Sequence, residues 1–211
     1  MESPKRLILL DMDSTFIQQE VIDLLALHAG VGAEVSAITE LSMRGEIDFK
    51  ESLARRVALL KNLPESICTE VRKEISLSLG AREMVAGLHQ RGHVVGIVSG
   101  GFENVIAPLL QAEKVDFFKA NILEIDNSKL TGRTVGPVID REAKAEYLKQ
   151  MSAELQIPLE NTIAVGDGAN DLGMMALAGI SVAFNAKPIV RQSATQHIDD
   201  GDLRRILEII D

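Results

Sequence analysis

With 211 residues and a hydrophobic share of 46%, the chain can bury one compact core plus a modest inserted lobe, and its composition is far from that of a disordered segment. A net charge of −9 with no long Lys/Arg run argues against nucleic acid as a partner, and the single cysteine, Cys68, excludes an intrachain disulfide and a thiolate zinc cluster. Past the charged Glu2, Lys5 and Arg6, only Leu7 to Leu10 are apolar before Asp11. That run is too short for a signal or membrane segment, so a cytoplasmic location with no membrane partner is expected.

In chain order, Leu7 to Leu10 is a continuous apolar run, as is expected of a strand buried on both faces. It ends in Asp11-Met12-Asp13-Ser14-Thr15. Ligands of open parallel sheets bind outside the carboxyl ends of strands, and carboxylates at i and i+2 address the same side if the strand continues. The same residues would also serve to cap a helix starting near Asp13. From about Gln18 to Leu77 no buried strand interrupts the helical periodicity. Helices are expected over Val21 to Ala29 before Gly30, Ala33 to Met43 before Gly45, and Phe49 to Leu60 before Pro64. Residues 18–77 therefore read as an inserted helical cap on a core made of residues 1–17 and 78–211.

The alternation then resumes. A helix over Ala81 to Arg91, ended by Gly92, leads to an apolar strand over Val94 to Val98, followed by Ser99-Gly100-Gly101 and a helix over Asn104 to Glu113. A hydroxyl with glycine N–H groups at a helix start makes a phosphate cradle, although an ordinary strand-to-helix turn has the same composition. The hydrolase elbow is excluded, because G-x-S-x-G needs glycine where Ile97 stands. Between 118 and 138, Asp126-Asn127-Ser128 and Thr131-Gly132 suggest a small hairpin excursion. A helix over Arg141 to Leu155 carries Lys144 near its start, where a cation opposes the helix dipole.

The strand Thr162 to Val165 ends in Gly166-Asp167-Gly168-Ala169-Asn170-Asp171, an acidic glycine-rich turn whose oxygens suit Mg²⁺. An EF-hand is excluded by Ala169 and Ala178, and the dinucleotide fingerprint by Asp171 in place of its third glycine. A helix over Asp171 to Ala178 and a strand over Ile180 to Phe184 complete the pattern, which argues for an α/β fold with a parallel sheet covered on both faces. If Asp11, Asp13 and Asp167 meet at adjacent strand ends, each close pair of like charges costs on the order of 4 kcal/mol at an effective dielectric of 20. A divalent cation and Lys144 would offset that repulsion and stabilise charge on a transferring phosphoryl group.

Together, Asp11-x-Asp13-x-Thr15, Ser99, Lys144 and Gly166-Asp167-Gly168-x-Asn170-Asp171 resemble the four ordered motifs of the haloacid dehalogenase superfamily, and the wording of the motifs is similar to that of its phosphoserine-hydrolysing branch. The resemblance implies a Rossmann-like parallel sheet flanked by helices with an inserted helical cap, and hydrolysis of phosphoserine. It implies Asp11 as nucleophile and Asp13 as general acid and base. Mg²⁺, with Mn²⁺ acceptable, would be held by Asp11, Asp13 and Asp167. Ser99, Gly100 and Lys144 would bind phosphate; Glu20, Arg56, Met43, Phe49 and Asn170 would bind the rest of the substrate, and Asp171 would support the site. Met12 and Phe16-Ile17 depart from the common wording but stay apolar.

Two other readings stay open. One is phosphate transfer to another alcohol, or hydrolysis of a different small phosphomonoester. The other is a phospho-accepting signalling module, against which stand Asp13 and the long cap. His28, His89, His93 and His197 are scattered and carry no metal pattern, and Cys68 reads as packing. A homodimer is left open.

Overall fold

The structure, a computed structural model, describes residues 4–210; Glu2 and the outermost ends of the 1–17 and 78–211 segments lie outside them. In chain order the elements are β1 (Leu7–Leu10), α1 (Val21–Ala29), α2 (Gly32–Met43), α3 (Phe49–Ala58), α4 (Ile67–Glu74), α5 (Ala81–Gln90), β2 (Val94–Phe102), α6 (Glu103–Ala112), β3 (Phe117–Asp126) and β4 (Lys129–Val135). The second half continues with α7 (Arg141–Glu154), β5 (Thr162–Gly166), α8 (Leu172–Met175), β6 (Ile180–Phe184), α9 (Pro188–Ser193), β7 (Gln196–Ile198) and α10 (Arg205–Ile209).

The strands form one sheet of seven in the order β4-β3-β2-β1-β5-β6-β7. All neighbours run parallel except β3 and β4. The continuous apolar runs have a direct cause in the layering. On β1, Ile8 and Leu10 face one apolar layer while Leu7 and Leu9 face another, as strand alternation requires. The first layer includes Met84 and Leu88 of α5, Val105 and Ile106 of α6, and Ile206 of α10. The second includes Tyr147 and Leu148 of α7, Met174 and Met175 of α8, and Val190 of α9. With both faces covered, no polar face is needed, and all four residues of β1 are buried.

Helices α1 to α4 leave the sheet layer after Ile17 and return at Leu77, where the two passing chains form an antiparallel bridge and Gln18 N donates to Ser76 O at 2.9 Å. Their buried side chains, among them Val21, Leu25, Val35, Leu53, Val57 and Val71, join the same apolar layer as Ile8 and Leu10. Helix α4 lies beyond the helices read from the sequence. Its buried Ile67, Cys68 and Val71 form a short stripe after Pro64. Among the described residues no helix is long and apolar enough to cross a membrane.

Two sheet features differ from the sequence expectations. The hairpin expected within 118–138 forms, as part of the sheet. β3 pairs in parallel with β2 and then turns through Asn127 and Ser128, both at positive φ (48° and 58°), into β4, so the hairpin extends the sheet. Thr131 and Gly132 lie inside β4 rather than in a turn. β2 also runs on past Val98 to Phe102, and its pairing with β3 shifts between Val98↔Lys119 and Phe102↔Asn121. Residues 99–101 on β2 thus face Ala120 alone on β3, a β-bulge. Consequently Ser99, Gly100 and Gly101 belong to a bulged strand end and not to a helix start.

Candidate active site

The strand order decides what meets. β1 lies between β2 and β5, so their carboxyl ends bring Asp11, the Ser99–Gly101 bulge and the Gly166–Asp171 loop together. Asp11 N donates to Val165 O at 2.9 Å, which extends the β1–β5 ladder to the carboxyl edge of the sheet. The backbone remains extended at Asp11 (ψ 161°) and Asp13 (ψ 136°), then reverses at Ser14, whose φ of 54° is left-handed. The alternation therefore holds: Met12 is buried in the apolar layer while Asp11 and Asp13 line one cavity. No regular helix starts at Asp13.

Asp11 Oδ1 accepts from Met12 N at 2.7 Å and is 2.7 Å from Lys144 Nζ. Its Oδ2 has no hydrogen-bond partner among the described residues. Lys144, fully buried one turn into α7, also contacts Asp171 Oδ1 at 2.7 Å. Burial alone would lower the lysine's pKa, but the two carboxylates outweigh it and hold the ammonium above its ordinary value. The other oxygen of Asp171 accepts from Gly168 N at 3.1 Å. The loop needs its glycines for this wrapping: a Cβ at Gly166 would stand 2.3 Å from Asp171 Oδ2, and one at Gly168 2.4 Å from Asn170 Oδ1.

Carboxylate oxygens of Asp11, Asp167 and Asp171 lie within 4.8 Å of one another. One lysine does not balance that charge. Burial, and then Asp171, push Asp11 well above the usual carboxylate range despite Lys144. Burial, Asp171 and Glu20 push Asp167 up to about 6, with Lys187 and Lys144 pulling the other way. Burial and Glu20 push Asp13 up to about 8, although Val21 N donates to it.

A cavity of about 120 Å³ opens over these groups and is also lined by Glu20, Phe49, Arg56, Gly100 and Asn170. Glu20, just before α1, accepts from Ser14 Oγ at 2.6 Å. Arg56 is mostly buried on α3, and burial pulls its pKa below the ordinary value. Its hydrogen bond, from Nε, goes to the Ser52 carbonyl, and among the described residues no carboxylate pairs with its guanidinium. Phe49 approaches Gly100 so closely that a Cβ there would sit 3.1 Å from the ring. Ser99 and Lys144 are buried just behind the cavity wall. Met43 is not brought in: it ends α2, whose one buried residue is Val35, and it is 68% exposed.

Several lining residues fall outside the motifs read from the sequence. Ile22 and Leu53 add apolar wall, and Lys187 adds a cation. Lys187 follows the carboxyl end of β6, where its N donates to Asp167 O at 3.0 Å. The rule that ligands gather at strand carboxyl ends applies equally to Asn185-Ala186-Lys187 and is the signal that would have found it.

A mostly parallel sheet covered on both faces, with an acidic cavity at its carboxyl edge and a helical insertion beside it, defines a Rossmann-like α/β protein whose candidate active site suits a divalent cation and a phosphorylated substrate. The chain matches the haloacid dehalogenase-like hydrolases over residues 8–176. It is 48% identical to a phosphoserine phosphatase of Streptococcus thermophilus across 211 residues, 100% of this chain and 98% of that protein. It is similar to a solved substrate-bound phosphoserine phosphatase complex, with a TM-score of 0.93 and 42% identity over 100% of both chains. A phospho-aspartyl intermediate analogue of phosphoserine phosphatase superposes with a TM-score of 0.92 at 43% identity, covering 98% of this chain and 99% of that one. The chain belongs to the haloacid dehalogenase-like hydrolase family.

Proposed function

We propose that the chain hydrolyses O-phospho-L-serine to L-serine and inorganic phosphate through an aspartyl-phosphate intermediate. The observation that carries the reading is a cavity joining Asp11 and Asp13 to Glu20 and to an Arg56 guanidinium that, among the described residues, forms no direct ion pair, with Asp23, Glu20 and Asp13 acting on it only through space. A phosphorylated amino acid has an ammonium and a carboxylate besides its phosphate, and Glu20 and Arg56 supply the complementary charges, the guanidinium fork suiting bidentate recognition. Relatives of similar length named as phosphoserine phosphatases support the same reading. Residues 18–77 would act as the substrate-selecting cap, with Phe49 and Arg56 its contacts.

In the mechanism, Asp11 Oδ2 attacks phosphorus in line with the seryl oxygen, Oδ1 being held by Met12 N and Lys144. Asp13, held near pKa 8 by burial and Glu20, is protonated at neutral pH and delivers its proton to the departing oxygen. In the second step the deprotonated Asp13 takes a proton from the water that attacks the aspartyl-phosphate. The Ser99 hydroxyl, the Gly100 backbone and Lys144 hold phosphoryl oxygens, and Asn170 borders the same space.

The donor set fits a hard divalent cation, since it is all oxygen and carries more negative charge than Lys144 balances. Asp11, the Asp13 backbone carbonyl and Asp167 would hold Mg²⁺, with Mn²⁺ a substitute. Asp171 has both oxygens engaged by Lys144 and Gly168 N and so acts as support. When bound, the cation offsets the carboxylate repulsion and stabilises charge on the phosphoryl group. This activity would place the chain at the last step of serine biosynthesis, in the cytoplasm.

Phosphate release from phosphoserine, phosphothreonine, phosphoethanolamine, a sugar phosphate and an aryl phosphate, with and without Mg²⁺, tests the proposal. Mg²⁺-dependent release with clear preference for phosphoserine is expected. Equal rates on all substrates would overturn the Glu20 and Arg56 assignment, and no release from any would overturn hydrolysis.

A further inference from the structure

The Ser99–Gly101 bulge is bound to the rest of the site by one side chain that no sequence motif contains. Asn121 on β3 is 2% exposed. Its Nδ2 donates to Gly100 O at 2.8 Å, and its Oδ1 accepts from Ile139 N at 2.9 Å. These partners fix the amide's orientation, because a backbone N–H can only donate and a carbonyl can only accept.

One bond reaches the bulge that carries Ser99 and Gly100, and the other reaches Ile139, two residues before the helix that carries Lys144. Gly100 O belongs to the same planar peptide unit as Gly101 N, which donates to Ser99 Oγ at 2.8 Å. That peptide is therefore clamped on both sides, by Asn121 at its oxygen and by Ser99 at its nitrogen. With its Oγ accepting from Gly101, the Ser99 hydroxyl keeps its own proton to donate. Space is tight around the clamp: a Cβ at Gly101 would stand 2.7 Å from Asp13 Oδ2, and one at Gly100 3.1 Å from Phe49 Cζ. At its other end Asn121 holds Ile139, next to Asp140, whose side chain caps α7 by accepting from Ala143 N at 2.9 Å. Lys144 follows one turn later. A bulge leaves its extra residues without ladder partners, so without Asn121 this backbone would be free to shift relative to both Asp13 and Lys144.

We infer that Asn121 is a positioning residue, which fixes the Ser99 hydroxyl and the Gly100–Gly101 peptide relative to the helix that carries Lys144. The inference rests on the proposal that Ser99 and Gly100 hold the phosphoryl group. Donors of this kind act on the transition state and lose their effect when misplaced by about 1 Å. Removing the clamp should therefore lower kcat and leave KM, set largely by Glu20 and Arg56, little changed.

The test measures kcat as a pH profile, KM and thermal midpoint for Asn121→Ala, Asn121→Asp, Ser99→Ala and Ser99→Ala/Asn121→Ala, with Asn104→Ala as a matched control. Asn104 also makes two side-chain bonds to backbone, accepting from Leu123 N at 2.8 Å and donating to Leu123 O at 3.3 Å, neither of them to residues 99–101. Asn121→Asp retains the acceptor for Ile139 N and, once ionised at the alkaline end of the pH profile, sets a charged acceptor against Gly100 O in place of the donor, so its kcat there decides the matter should Asn121→Ala not fold. Expected is a kcat loss on the order of 10- to 100-fold in both Asn121 variants with KM within about threefold. Asn104→Ala should lose thermal midpoint but keep kcat, and Asn121→Ala should add little to Ser99→Ala. Wild-type kcat in Asn121→Asp at that alkaline end, or full additivity with Ser99→Ala, would overturn the positioning role. Wild-type turnover in Ser99→Ala itself would instead overturn the phosphate-site reading on which it rests.

Discussion

Replacing Asp167 by asparagine should stabilise the cation-free protein while abolishing its activity. Burial and the carboxylates of Asp171 and Glu20 raise the Asp167 pKa from 3.8 to about 6. At 1.36 kcal/mol per pK unit, this shift withdraws about 3 kcal/mol of stability at neutral pH. Because the folded value lies above the unfolded one, the contribution is fully favourable below about 3.8 and is lost as pH rises through about 6. Asparagine has nearly the same shape and no charge to desolvate, and the attraction of Lys187 and Lys144 is already contained in the value of about 6. A net gain of about 3 kcal/mol is expected, or about 6–12 °C in midpoint for a chain of this size. Thermal melts in EDTA from pH 4 to 8 should show wild type and Asp167→Asn close together at pH 4 and separated above pH 6. Added Mg²⁺ should raise the wild-type midpoint and move the variant's much less. A variant no more stable than wild type at pH 7.5 in EDTA, or a gap that ignores pH, would refute the reasoning.

Asp11→Asn should fold, since it changes little volume, yet lose at least about 1,000-fold in phosphate release; an active variant would end the nucleophile assignment. Lys144→Met leaves the buried carboxylates of Asp11 and Asp171 without their cation, and should lower stability by about 3–5 kcal/mol in urea unfolding. An unchanged urea midpoint would mean that another group compensates that charge. Arg56→Ala should reduce kcat/KM for phosphoserine by roughly 10- to 100-fold, the value of a charged hydrogen-bonded contact, and affect an aryl phosphate far less. An unchanged ratio between the two substrates would remove Arg56 from recognition.

Much of the fold was legible because its central strands are buried on both faces. Leu7–Leu10 and Ile180–Phe184 are strands with the bounds their apolar runs suggest. Legibility fades towards the sheet edges, where one face meets solvent or the strand is short. β3 carries Lys119, Glu124 and Asp126 among its apolar residues, which breaks the continuous run that marks a central strand and made it read as an excursion. β7 has three residues, of which Ile198 alone is buried, too few for any period. Helices α9 and α10 have six and five residues, below the length at which helical periodicity separates from chance.

The site divides along a similar line. Charged groups at strand ends, such as Asp11, Asp13 and Asp167, stand out because a carboxylate close after a buried strand has no packing reason to be there. Groups whose role depends on direction do not stand out. Met43 and Phe49 are both apolar and both near helix ends, yet the ring reaches Gly100 and the methionine lies in solvent. That difference follows from how α2 and α3 pack, which side-chain type does not encode. Asn121 is harder still to read, because its partners are backbone atoms of two segments that meet only after the sheet has formed. A sequence marks residues that supply charge, while those that hold a peptide at the right angle become visible only in the folded bond network. Positioning groups in this site are therefore to be sought among buried amides and hydroxyls bonded to backbone, of which Asn121, bonded to Gly100 O and Ile139 N, is one.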